Sequence, residues 1–517
     1  MIKNLKVVFI FTLLFLLFLK IDYRITNDLN CCGDDYDYYS HSLTIALDKD
    51  FDYSNQGLEK MRYFRNSKEA PFGFVGTGIL SAPFLLIGNI MDKSFSNVDS
   101  LLTYQKLIYS FSSIFYFLMS YILFEKILNI LMIKFYNFKL VFFGSGLIYY
   151  SFERYSMTPS YEVFTITLLI YLTIIYYKKN KSYVIYFIPF SILLCILVRW
   201  TNIYIIFIPG ILISIFNLTQ QPIYKFYLNI KFLTSTFLSL LIFIKLSYEI
   251  YGVLTFSPSY VYMQESFVQN IKTDLINNFL NNFFDFFNDI FIILLTKEFG
   301  LLWFSPIIFI GFASTIISLF TSKKEKLIAK IFILLIFLQN FYIVSIWDST
   351  ASSYGFRYLY SLIPLSILCF SFNNLNKLKI LNIYFYLFSL FSIISSLFFE
   401  SSIQTQLSLE PVLNSFGSFK IYSQPNYLEG VLKTLFIPDA YFKVLGTSFL
   451  VASFLKIGTN FIDNETVLVF LSYLNINENS DVLNLLSKIE LISLDKFLTV
   501  LIFAVISSKL FSKSYDE

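Results

Sequence analysis

Apolar residues in this chain come in long runs, each about the length of a membrane crossing, with short polar breaks between them. A hydrocarbon core of about 30 Å takes about 20 helical residues at 1.5 Å each. Inside that core every backbone amide must bond within its own helix, so such runs are expected to be helices. Spans are predicted at roughly 5–21, 103–124, 138–152, 162–177, 182–199, 202–217, 232–250, 300–321, 327–346, 355–372 and 378–399. The expected fold class is an all-α polytopic membrane protein with about 11–13 transmembrane helices. Residues 1–399 read as one multi-span unit, with a large first outer loop at 22–100 carrying interfacial helices. Residues 400–517 read as one or two further spans or a small outer domain.

The breaks set the orientation. With Lys3 and Lys6 in the cytoplasm, every lysine-rich break falls on one side: Lys126, Lys134 and Lys139; Lys178, Lys179 and Lys181; Lys225 and Lys231; Lys323, Lys324, Lys326 and Lys330; Lys377 and Lys379. That is the positive-inside pattern. The opposite breaks at 22–70 and 251–299 are acidic. The segment 73–91 is apolar and about span length, but a crossing there would turn all the later lysines outward. Gly73, Gly76, Gly78, Pro83 and Gly88 are also expected to weaken a straight helix. It is therefore predicted as an interfacial or re-entrant helix on the outer leaflet. The apolar stretch after Lys3 lacks a small-residue cleavage site and reads as an uncleaved first span.

Composition agrees. Only 14% of the 517 residues are charged and 56% are hydrophobic, against about 25% charged in soluble proteins. The net charge is +4 and no run of five or six Lys/Arg occurs, so a nucleic-acid partner is not expected. Cys31, Cys32, Cys195 and Cys369 form no CxxC pair, and His41 is the one histidine, so a multi-histidine metal site is excluded.

The first outer loop, CCGDDYDYYSHSLTIALDKDFDYSN, holds the candidate chemistry. It opens on the paired carboxylates Asp34 and Asp35 among Tyr36, Tyr38 and Tyr39. A short helical pattern and a second acidic cluster, Asp48, Asp50 and Asp52, follow. The bland alternative is a solvated acidic loop.

These features resemble the GT-C fold of lipid-donor membrane glycosyltransferases, the superfamily of protein O-mannosyltransferases and the lipid A aminoarabinose transferase. Gly33-Asp34-Asp35, Tyr38 or Tyr39, and Ala46-Leu47 resemble the start of that family's first outer loop, with Asp-Asp where Asp-Glu is usual. Pro71-Phe72-Gly73 through Ala82-Pro83-Phe84 resembles its Pro/Gly-rich segment. Val198-Arg199-Trp200-Thr201-Asn202, Gly300 through Pro306, and Trp347 through Pro364 resemble later motifs in the same order. The resemblance covers about residues 1–400.

It implies transfer of a sugar from a polyprenyl-phosphate donor to a hydroxyl acceptor on the outer face of the inner (plasma) membrane. An attacking hydroxyl needs a base within hydrogen-bond reach. Asp34 or Asp35 fits, and the pair also offers carboxylates to a divalent cation. Arg199 and Arg357, at the outer ends of spans, suit a lipid phosphate, and Tyr38 and Tyr39 are expected to line the substrate site.

Each residue also has a structural reading. Arg199 can snorkel to headgroups, Arg357 can pair with Asp348, Glu153 and Arg154 can pair within their turn, and Lys297 with Glu298 on the surface. Glu125 and Lys126 are expected at a cytoplasmic helix end. His41 is expected at the surface. Two functions without this chemistry stand beside the transferase: a lipid-linked glycan flippase or exporter, and an O-antigen-type polymerase. A flippase places charges deep within spans; here they cluster at span ends, with Lys245 and Glu249 as exceptions. A polymerase of that type carries its functional loop late in the chain.

Overall fold

The computed structural model describes residues 2–20, 33–56, 64–65, 68–95, 103–258, 279–296, 299–320, 324–346, 354–372, 378–398, 448–451 and 493–513, with Val261 and Leu432. The chain is helical almost throughout these residues. The helices that position the site are α1 (Ile2–Phe18), α2 (Gly33–Leu43), α3 (Gly76–Phe95), α4 (Tyr104–Ile130), α5 (Phe138–Phe143), α6 (Leu147–Phe152), α7 (Pro159–Lys178), α8 (Phe187–Val198) and α9 (Ile208–Ile215). They are followed by α10 (Ile230–Tyr251), α11 (Phe279–Leu295), α12 (Pro306–Phe320), α13 (Lys324–Ile346), α14 (Ile363–Phe372), α15 (Lys379–Leu397) and α16 (Leu494–Lys513). One hairpin, Phe64–Arg65 against Lys68–Glu69, is antiparallel with Phe64 opposite Glu69.

Among the described residues, five helices are long and apolar enough to cross a membrane: α4, α7, α10, α13 and α15. Shorter apolar helical stretches include Lys6–Phe18, Ser182–Val198, Trp200–Ile215, Phe286–Leu295, Pro306–Phe320 and Arg357–Ser371. The chain is thus an all-α protein of membrane character. α4 and α7 form its centre, with 78% and 67% of their apolar windows buried, whereas α10 and α15 bury only 28% and are peripheral.

Small side chains let the central helices approach. Ser110, Ser112, Ser113 and Ser120 of α4 are buried, and each hydroxyl donates to a carbonyl three or four residues back. Such back-bonding satisfies a hydroxyl where no water reaches it. Between α12 and α14, Ser314 donates to the Cys369 carbonyl at 2.9 Å. α1 and α16 run antiparallel, since Phe11 meets Phe511 while Phe15 meets Phe503. The described end of the 400–517 region is therefore a helix, α16, packed on the first one.

Three expectations change. The predicted span 138–152 is two short helices, α5 and α6, because Gly146 sits at φ +86°, and a Cβ there would strike the Tyr360 hydroxyl. The predicted spans 182–199 and 202–217 each open with a 3₁₀ run, Ser182–Tyr186 and Trp200–Phe207. The glycines of 73–91 do not weaken its helix: α3 is continuous through Pro83. A Cβ on Gly78 would overlap His41 of α2, and one on Gly76 would overlap the Leu197 backbone of α8. These glycines are contact points, and they clamp the first loop to the bundle. The second half of the predicted 251–299 break forms α11.

Candidate active site

The two adjacent acids face different ways because α2 carries them. Positions three and four apart share a helix face, and neighbours do not. Asp34, Asp37 and Tyr38 point to one side and line a cavity of about 250 Å³. Asp35 points to the other and is buried, at 3% of its side-chain surface, against the turn between α6 and α7. There the Arg154 Nη2 lies 2.7 Å from its Oδ2, and the Ser156 hydroxyl donates to its Oδ1 at 2.7 Å. Burial raises the Asp35 carboxyl above its ordinary value, with Arg154 and Ser156 pulling it back down. Arg154 is thus not confined to a pairing within its own turn; it ties that turn to the first loop.

Asp34 keeps 40% of its side-chain surface and meets Arg357 Nη2 at 2.8 Å. Arg357 starts a 3₁₀ run, Arg357–Leu362, and its Nη1 also donates to the Met157 sulfur at 3.7 Å. The partner expected for it, Asp348, lies outside the described residues, as do Lys297 and Glu298.

Arg199 stands where α8 ends. Its backbone is extended (φ −155°, ψ 123°), which turns the side chain off the helix axis. Its Nη1 lies 2.9 Å from Glu162 Oε1, and its Nη2 donates to the Thr158 hydroxyl. Glu162 is fully buried in the first turn of α7. Arg199 itself is 9% exposed, so it does not snorkel to a lipid surface.

Tyr358 joins the two arginines. Its ring centroid lies 4.3 Å from the Arg199 guanidinium carbon and 5.3 Å from that of Arg357. Aromatic faces attract cations at such distances. Tyr358 therefore holds two guanidiniums on one cavity wall, with Trp200, Phe72 and Tyr38 among the other lining residues. Asp34, paired with Arg357, lines the cavity, whereas Glu162, paired with Arg199, does not.

The base of the cavity is fixed through the Gly73 carbonyl. It accepts from His41 Nε2 at 2.9 Å and from the Tyr251 hydroxyl at 2.7 Å. A carbonyl only accepts, so Nε2 carries the proton, and a neutral His41 then accepts from the Tyr53 hydroxyl through Nδ1 at 2.6 Å. His41 is fully buried, against the surface position expected for it. Burial pushes its imidazole down to about 4, so it is neutral near pH 7.

Of the residues singled out by sequence, Asp34, Tyr38, Arg199 and Arg357 meet at one cavity. Asp35 lies behind it. Tyr39 does not line it: its ring packs edge-on against Tyr109, its hydroxyl accepts from Gln105 at 3.1 Å, and burial raises it to about 12. Lys245 and Glu249 form an exposed pair one helical turn apart on α10. Asp50 and Asp52 accept from the backbone of Asp52 and Ser54, so they cap a turn. Among the described residues, no three His, Cys, Asp or Glu side chains are grouped to hold a metal ion.

Sequence reasoning missed Glu162, Ser156 and Tyr358. The signal for Glu162 was a carboxylate in the first turn after Thr158-Pro159, which is also an ordinary helix start. Tyr358 directly follows Arg357 within the Trp347–Pro364 segment, where nothing in the sequence sets it apart from the chain's other tyrosines. No protein-family model matches the chain, and neither a curated protein nor a solved structure matches it.

Proposed function

We propose that this chain is a membrane glycosyltransferase of GT-C-like architecture, moving a sugar from a polyprenyl-phosphate donor to a hydroxyl acceptor at the outer face of the plasma membrane. In this proposal the N-terminus is cytoplasmic and the shorter apolar helices complete a set of about 11–13 spans. One observation carries the reading: a half-open carboxylate, Asp34, shares a cavity with two guanidiniums seated on one tyrosine ring.

The arrangement suits displacement at a sugar–phosphate bond. The acceptor oxygen attacks the anomeric carbon and its proton passes to the Asp34 carboxylate. The bond from the anomeric carbon to the phosphate oxygen breaks, and the lipid phosphate leaves with the electron pair. Arg199 and Arg357 neutralise the charge that develops on that oxygen. Fixed cations in a water-poor site stabilise such charge without reorganising. Asp34 is assigned the proton because it reaches the cavity; Asp35 holds the 154–156 turn in place.

Glycolipid mass spectrometry of cells with and without the protein tests the proposal, followed by Asp34→Asn. The expected result is loss of one sugar-bearing product, restored by the wild type and not by the variant. Full restoration by Asp34→Asn refutes the assignment of the base.

A further inference from the structure

A second cavity, of about 390 Å³, opens among α1, α4, α5, α6, α15 and α16 and shares no lining residue with the first. Its wall is apolar, with Leu14, Phe15, Phe143, Phe152 and Ile393 among the lining residues. Lys139 is the one charged side chain in that lining. Its ammonium lies 5.2 Å from the Phe511 ring centroid and 5.9 Å from that of Tyr121, with Glu125 acting on it electrostatically.

The packing puts Lys139 at a basic end of the bundle. Phe511 touches Phe11, Tyr121 and Phe143. Lys6 precedes Phe11 in α1, Lys126 follows Tyr121 in α4, and Lys509 neighbours Phe511 in α16. All three lysines are exposed. At the far end of the wall, Phe18 and Phe152 lie 6.0 Å apart.

We propose that this cavity binds one alkyl chain of an anionic phospholipid, with the phosphate seated at the Lys139 end. An apolar cavity of about 150 Å³ already takes up benzene. By that measure this one accommodates about 12–18 chain carbons. An apolar wall alone would take any lipid tail. Lysines gathered at the same end supply the selection, since basic pockets between membrane helices attract anionic headgroups. The site is separate from the transfer chemistry and stands whether or not that assignment holds.

The test is native mass spectrometry of the purified full chain in detergent, equilibrated with equal amounts of phosphatidylglycerol and phosphatidylcholine. The wild type is expected to retain one phosphatidylglycerol, preferred by at least about fivefold, which is the weight of one lysine alone against an anionic lipid. Lys139→Gln is expected to lower that preference toward parity while still holding a chain. Leu14→Trp, at a wall position that is 41% exposed and so tolerant of bulk, is expected to retain neither lipid. Equal retention of the two lipids by the wild type overturns the proposal. So does an undiminished preference in Lys139→Gln, or wild-type retention in Leu14→Trp. Should Leu14→Trp fail to fold, the comparison of wild type with Lys139→Gln still decides.

Discussion

The Asp34 carboxylate and the Arg357 guanidinium lie 2.8 Å apart, and the pair is open on its acidic side, with 40% of the Asp34 side chain exposed against 13% of Arg357. Partly exposed pairs are worth up to about 1 kcal/mol. An anion entering the cavity can therefore displace Asp34 from Arg357 at small cost, and the displaced carboxylate becomes available as a base. Asp34→Asn removes the competitor. The variant is expected to bind a short isoprenyl phosphate about threefold to fivefold more tightly while losing sugar transfer. Calorimetry on protein in nanodiscs checks the first effect and a transfer assay the second. Unchanged affinity would mean that Asp34 does not compete for the anion.

Asp35→Asn is expected to behave differently. Asp35 is 3% exposed and neutralises Arg154, which is equally buried. Removing one partner of a buried pair weakens the compensation of the other charge and costs up to about 3–5 kcal/mol. The asparagine keeps part of the hydrogen bonding, so a loss of about 2–4 kcal/mol is expected, with a lower melting temperature and poor yield. Asp34→Asn should melt close to the wild type. Thermal unfolding in detergent separates the two; equal melting points would contradict the different surroundings of the two acids.

The contrast between these neighbours also shows what could be read from the chain. The periodicity of apolar runs gave helices and their approximate places, since the membrane leaves the backbone few alternatives. Asp34 and Tyr38 were legible in a short motif of the first outer loop, and Arg199 and Arg357 in short motifs at expected span ends. Which of the two acids faces the cavity was not legible, as it depends on the rotation of α2 about its axis. That rotation is set by Gly78 against His41 and Gly73 against Tyr38, contacts between segments far apart in sequence. His41 was misplaced for the same reason: a lone polar residue in an acidic loop gives no hint that Tyr53 and Gly73 enclose it. The break at Gly146 was hidden inside an apolar run, where the neighbouring Tyr360 and Tyr354 reveal it.

Glu162 is expected to act through Arg199. The carboxylate is fully buried 2.9 Å from the guanidinium, which also lies against the Tyr358 ring. Glu162→Gln should hold Arg199 less firmly, through Thr158 and Tyr358 alone, weakening isoprenyl-phosphate binding about tenfold and destabilising the fold by about 3 kcal/mol. Arg199→Gln should do the same by leaving Glu162 unpaired. The double variant should be more stable than the two losses combined, with a coupling of about 2–3 kcal/mol. Additive losses in a double-mutant cycle would show that the two side chains act separately.

His41 makes the first loop sensitive to acid. Its imidazole is held down to about 4 by burial in the fold, against about 6.5 in an unfolded chain. Between those values the unfolded state binds a proton that the folded state does not. Stability from this residue is therefore full above about pH 6.5 and falls as the pH drops toward 4. At about 1.4 kcal/mol for each unit of difference, the loss reaches about 3 kcal/mol. Because His41 is the one histidine in the chain, protein labelled with carbon-13 histidine gives a single imidazole signal. That signal is expected to stay neutral at pH 6, with the proton on Nε2, and to titrate only near 4 or when the loop opens. A midpoint near 6.5 in folded protein would show that the imidazole is not enclosed. His41→Gln keeps a donor for the Gly73 carbonyl without the titration, so its melting temperature should vary less than that of the wild type between pH 7 and pH 5.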